Sequence, residues 1–157
     1  MDYSTNKKTN EVINGKLGIN FRRGDWRQST QEEIDNYNLK EKKRELHKIR
    51  KFIRDKEKYS STIECLGSTF KSDTETLQAL SLARGQMNGE ITSIDWFDYF
   101  DNAKTLTIED VKTIIAAVYN RGLQATIKSK TIKAEIESIT NLSELESYDV
   151  NAKWDVL

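Results

Sequence analysis

The sequence predicts an α+β fold: long helices packed on a small antiparallel sheet of short hairpins, with an extended N-terminal arm. Three observations predict it. Residues 29–58 and 107–139 carry apolar side chains at helical spacing behind capping signals. Residues 61–71 and 91–106 are β-branched or aromatic and alternate around turn residues. No proline occurs among the 157 residues, so no ring interrupts a long helix.

Residues 1–28 read as an arm, with Tyr3, Val12, Ile13, Leu17, Ile19 and Phe21 scattered among polar residues. Ile19-Asn20-Phe21 alternates like a short strand, and Gly15 and Gly18 offer turns. Trp26 lies in Arg22-Arg23-Gly24-Asp25-Trp26-Arg27, an arginine-rich setting that suits an interface anchor. Folding of Trp26 back onto its own domain is the competing reading. Ser29 and Thr30, each three residues before a glutamate, open a helix running to about Lys58. Ile34, Tyr37, Leu46, Ile49 and Ile53 form its apolar face. Between Lys40 and Lys58 it holds ten basic and four acidic residues. No aromatic platform is interleaved with them, which argues against nucleic-acid binding and for a solvated or partner-facing helix.

Ser60 to Lys71 predicts a hairpin turning at Leu66-Gly67. Ser72 with Glu75 predicts the cap of a helix from Asp73 to Met87, ended by Asn88-Gly89. Ile91 to Phe100 reads as a strand, Asp101 to Lys104 as a turn, and Thr105-Leu106 as the return. Thr107 with Asp110 opens the last long helix. Its stripe is Val111, Ile114, Ile115, Val118, Leu123, Ile127, Ile132, Ile136 and Ile139, with Tyr119 beside it. Gly122 inside it marks close packing or a kink. Asn141 caps a short final turn, and Trp154 follows. The boundaries are thus an arm at 1–28, a basic helix at 29–58 and a compact α+β domain at 60–157. Its expected core includes Leu66, Phe70, Leu77, Leu80, Trp96, Ile114, Ile115 and Val118.

Composition excludes several function classes. No apolar run approaches the roughly 20 residues of a membrane helix, and Met1 to Asn10 lacks the apolar stretch of a signal peptide. One cysteine and one histidine exclude a disulfide framework and argue against a protein-only zinc site. Glycine-rich phosphate loops and common hydrolase or metal motifs are missing. Asp95, Asp98 and Asp101 recur every third residue, but the aromatic residues between them fit the polar edge of a half-buried strand better than a calcium loop. Cys65 reads as a small buried hydrophobe and His47 as a surface or packing residue. The expectation is therefore a non-enzyme with no catalytic residue, cofactor or metal.

Charge is distributed unevenly. Residues 1–60 hold 16 basic and 10 acidic side chains, and residues 61–157 hold 9 and 15. Such a split suggests that the two parts meet each other or that copies pack head to tail; solvated helix faces of opposite bias give the same counts.

From about Arg44 to Trp154 the chain resembles a phage-associated family catalogued as a domain of unknown function. The residues that carry the resemblance come in order. Arg44 and Arg50 lie in a basic helix, followed by Gly67-Ser68-Thr69-Phe70, Asp73, Thr76 and Leu77. Then come Ala83, Trp96, Asp101-Asn102, Leu106-Thr107 and Asp110, and finally Ile132 to Ile136, Leu142 to Leu145 and Trp154. Upstream, Trp26 before Ser29-Thr30-Gln31-Glu32-Glu33 resembles the lead-in of short phage tail proteins. The departures are the Lys/Asn-rich composition and the missing proline near the central tryptophan. Members of the family occur in tail-fibre and tail-assembly proteins.

The resemblance implies a structural or adaptor component of a bacteriophage tail, associated with fibre or baseplate and present in several copies in the virion. It would be made in the host cytoplasm, and its partners would be other tail or fibre proteins. A tail-fibre assembly chaperone, or a small inhibitor binding a host protein or nucleic-acid complex, is the alternative. The expected attachment residues are Tyr3, Arg22, Arg23, Trp26 and Arg27.

Overall fold

A computed structural model describes residues 3–15, 26–87 and 89–157. The fold is α+β, with small antiparallel sheets of short strands and two long helices that pack together. In chain order the described elements are β1 (Tyr3–Asn6), β2 (Val12–Asn14), β3 (Trp26–Gln28), α1 (Gln31–Lys58), β4 (Thr62–Cys65), β5 (Ser68–Lys71), α2 (Thr74–Gln86), β6 (Ser93–Phe97), β7 (Ala103–Thr107), α3 (Ile108–Ser138), α4 (Leu142–Glu146) and α5 (Val150–Val156).

Local signals place the helix starts. At α1, the Thr30 amide donates to Glu33 Oε2 at 2.8 Å while the Glu33 amide donates to Thr30 Oγ1 at 3.3 Å, a reciprocal capping box. Thr107 and Asp110 do the same for α3, at 2.9 and 3.3 Å. Asn141 accepts from the Glu144 amide at the start of α4. The α2 cap differs from the expectation: Asp73 accepts from the Thr76 amide at 2.8 Å. Ser72 is buried and donates to the Ser60 carbonyl at 2.6 Å, so its hydroxyl is committed to the preceding chain.

The contacts group the chain into two units, along lines other than boundaries at residues 28 and 58. One comprises residues 1–49 and 132–156; the other comprises Arg50–Thr131 with Leu157. Both α1 and α3 contribute to each unit, which a linear reading of charge and capping does not reveal. The first unit holds 13 basic and 14 acidic side chains and the second 12 and 11, so the split along the sequence is neutralised within each unit. The Lys43 ammonium, for example, lies 3.8 Å from the Glu137 carboxylate.

In the first unit, the described parts of the arm form a sheet of order β2-β1-β3, both pairings antiparallel. Ile19, Asn20, Phe21 and Gly18 lie outside the described residues. Leu46, Ile132, Ile136, Ile139, Leu145, Val150 and Trp154 are buried there.

In the second unit, the hairpins β4–β5 and β6–β7 pair in antiparallel register, Ile63 opposite Phe70 and Ile94 opposite Leu106. Phe70, Leu80, Met87, Leu106, Val111, Ile114 and Ile115 form the core cluster, with Leu77 and Trp96 half-buried against it. Leu66 departs from the expectation and is 48% exposed. It occupies a two-residue turn with Gly67 in which both φ values are positive, +52° and +69°, and this geometry turns the side chain away from the core.

The α3 stripe also departs from the expectation. Val111, Ile114, Ile115, Val118, Ala125, Ser129, Ile132 and Ile136 are buried, whereas Tyr119, Leu123 and Ile127 are exposed. At about 100° per residue, the buried row continues from Val118 through Ala125 and leaves Leu123 and Ile127 on another face.

Candidate interaction site

Tyr3, Trp26 and Arg27 all lie on the N-terminal sheet, while Arg22 and Arg23 lie outside the described residues. β1 brings Tyr3 to α1, where its hydroxyl donates to Asn38 Oδ1 at 3.0 Å and its ring meets Tyr37 edge-on. Thr5, fully buried, shares a hydrogen bond with Ser29 at 2.8 Å and donates to Glu33 Oε2 at 3.1 Å. Arg27 forks onto the Glu33 carboxylate, with Nη1 to Oε2 at 2.7 Å and Nη2 to Oε1. Glu33 therefore gathers an arginine, the hydroxyls of Thr5 and Thr30 and the Thr30 amide. Its carboxyl is lowered to about 2, first by the Arg27 hydrogen bond and then by the Thr30 amide. Arg27 is committed to its own chain, and half-buried Trp26 stands opposite Asn6.

Titratable side chains elsewhere hold the fold. Among the described residues, no group of three or more His, Cys, Asp or Glu could hold a metal ion. His47 Nε2 meets Glu137 Oε1 at 2.9 Å, in a pair that joins α1 to α3 in the first unit. Asp98 accepts from the Phe100 and Asn102 amides at 2.9 and 3.0 Å, which fixes the β6–β7 turn and holds its carboxyl below the usual range. Asp95 accepts from Thr105 across the hairpin at 3.0 Å. Cys65 packs half-buried against the core, and burial pushes its thiol up, away from the thiolate form.

Two arginines clamp the second unit. Arg50 is buried, and its Nη1 donates to the Ser129 carbonyl at 2.9 Å and to the Ser129 hydroxyl. Arg121 donates to the Thr62 carbonyl at 2.6 Å and to the Ser60 carbonyl and Ser72 hydroxyl at 3.1 Å each. Burial lowers both guanidinium values, and both groups still satisfy backbone acceptors.

The same unit carries two exposed apolar features. A groove of about 620 Å³ runs between the end of α1, the start of α2 and the middle of α3. Tyr59, Leu77, Val118, Tyr119 and Leu123 line it, and a shallower extension reaches Leu82. Gly122 forms part of its wall; a Cβ there would meet only the Lys58 side chain, Cγ at 3.5 Å and Cε at 4.0 Å. α3 is continuous through this glycine and no backbone crowds it, so Gly122 marks neither a break nor a close approach. From Thr113 to Ile127 only Arg121 is charged, and its guanidinium is committed to internal acceptors.

The second feature is the β6–β7 tip, where Phe97 is 63% exposed, Phe100 is 68% exposed and Tyr99 packs edge-on to Phe100. The sequence signal for both features is apolar side chains displaced from the helix stripe or crowded at a turn. Reading every such residue as core hides it. No family model, no curated protein and no solved structure matches this chain.

Proposed function

We propose that the protein is a structural or adaptor component of a bacteriophage tail, associated with the fibre or baseplate, and that it works through protein–protein contact. The observation that carries the contact-based reading is that one unit holds both an exposed, charge-poor groove and an exposed aromatic tip. Depletion of charge with aromatic enrichment is the composition of an interface centre. The ordered resemblance from Arg44 to Trp154 supplies the phage context. The N-terminal sheet with Tyr3 and Trp26, together with Arg22 and Arg23, is the further attachment region in this reading. Arg27 acts there by holding β3 to α1 through Glu33.

Disruption of the gene in its phage tests the proposal. The expected result is particles with defective or fibreless tails by electron microscopy and a loss of infectivity that the intact gene restores. Normal tails and normal infectivity would overturn it.

A further inference from the structure

We infer that the last turns of α1 in the second unit, centred on Phe52, bind single-stranded nucleic acid. The inference goes beyond the protein–protein contact above and does not depend on it.

The second unit is nearly neutral, but its charges are not mixed. Residues 50–58 and 113–131 together hold eight basic and two acidic side chains, and the rest of the unit holds four and nine. The two helical stretches meet where Arg50 donates to the Ser129 carbonyl at 2.9 Å. Both acids of this layer are answered from within it. Asp55 accepts from Arg54 Nε and Nη2 at 2.8 and 2.6 Å, and Glu57 counters Arg121. Lys51 and Lys56 are exposed, and among the described residues neither has a carboxylate partner. Arg50 is buried on Ser129 acceptors alone, so its charge adds to theirs. The layer therefore attracts a polyanion.

Charge alone suits any polyanion; the aromatic rings choose among them. Phe52 and Tyr59 are 70% and 71% exposed. The Tyr59 amide donates to the Asp55 carbonyl at 2.9 Å, so the helical path runs on through it. Phe52, Lys56 and Tyr59 thus follow at i, i+4 and i+7 on one outward face, with Lys51 beside Phe52. The rings stand about 10 Å apart along the axis, the length of roughly three stacked nucleotides. Lys58 Nζ lies 5.1 Å from the Tyr59 ring centroid. Asp73 lines the groove beyond Tyr59, so the basic surface is centred on Phe52 and does not extend into that groove. Rings set among lysines give bases a stacking surface and phosphates a cation. A duplex keeps its bases inside, and an acidic peptide has none, so neither uses Phe52. In the sequence Phe52 passes for one more core side chain beside Ile49 and Ile53; its exposure overturns the expectation of a basic helix with no aromatic among its lysines.

Fluorescence anisotropy of a labelled oligothymidylate titrated with the full chain, from about 0.02 to 0.2 M salt, tests this. Binding is expected, with a logarithmic salt slope of about −2 as Lys51, Lys56 and Lys58 each meet a phosphate. Phe52→Ala should weaken binding about tenfold and leave the slope unchanged, because it removes stacking and no charge. Lys51→Gln combined with Lys56→Gln should reduce the slope by more than half. Phe100→Ala, at the acidic β6–β7 tip, should bind like the wild type. All of these positions are exposed, and circular dichroism melts check that the variants fold. No binding at the lowest salt would overturn the proposal. Phe52→Ala binding as tightly as the wild type would overturn it equally, since a charged patch alone would then account for the affinity. A duplex or polyglutamate bound as tightly as the single strand would also overturn it, the latter in favour of an acidic protein partner. Each of these results leaves the tail-component reading standing, because that reading is tested on the phage.

Discussion

Leu66 shows how a turn can overrule a side chain's preference. A leucine at φ +52° carries a left-handed backbone cost that asparagine or glycine largely avoids, and its exposure recovers little burial in return. Leu66→Asn should therefore stabilise the protein by about 0.5–1 kcal/mol in urea unfolding, the gain expected when a residue matches its backbone conformation. Glu33 makes a pH-dependent prediction. Its folded value is about 2 against an ordinary 4.5, so its contribution is present above pH 4.5 and is lost as pH falls toward 2. Amide exchange in β1 and β3 should accelerate across that window in the wild type. Glu33→Gln should remove most of the pH dependence, and an unchanged profile would show that the Arg27 fork does not hold the sheet.

At the scale of elements, caps and turns were legible because their determinants lie within four residues. Thr30 with Glu33, Thr107 with Asp110, and the Leu66-Gly67 turn needed no knowledge of the rest of the chain. The α2 cap is ambiguous in the sequence because Ser72 and Asp73 both fit locally, and only the distant Ser60 carbonyl decides between them. The outward face of α3 was illegible for a related reason. Leu123 is as apolar as Val118, and only the neighbouring elements determine which of them is covered. Gly122→Ala should raise stability by about 0.5–1 kcal/mol through helix propensity, since the new methyl meets only Lys58 at ordinary contact distance. Arg121→Met should lower it by about 2–3 kcal/mol in the same assay, because the Ser60 and Thr62 carbonyls lose their charged donor.

For the whole molecule, opposite charge along the sequence is consumed inside each of two nearly neutral units, which leaves apolar surface rather than net charge as the specific external signal. Of the candidate attachment residues, Tyr3 and Arg27 are committed to α1 by bonds that arise only once β1 and β3 are placed on that helix. The groove emerges only when the end of α1, the start of α2 and the middle of α3 come together. The central claim is that this surface serves a protein built into a tail in repeated copies. Quantitative mass spectrometry of purified particles tests it most directly, with peptides of this chain counted against a tail protein of known copy number. A fixed, multiple copy number per particle is the predicted result; particles that are complete and infectious without the protein would contradict it.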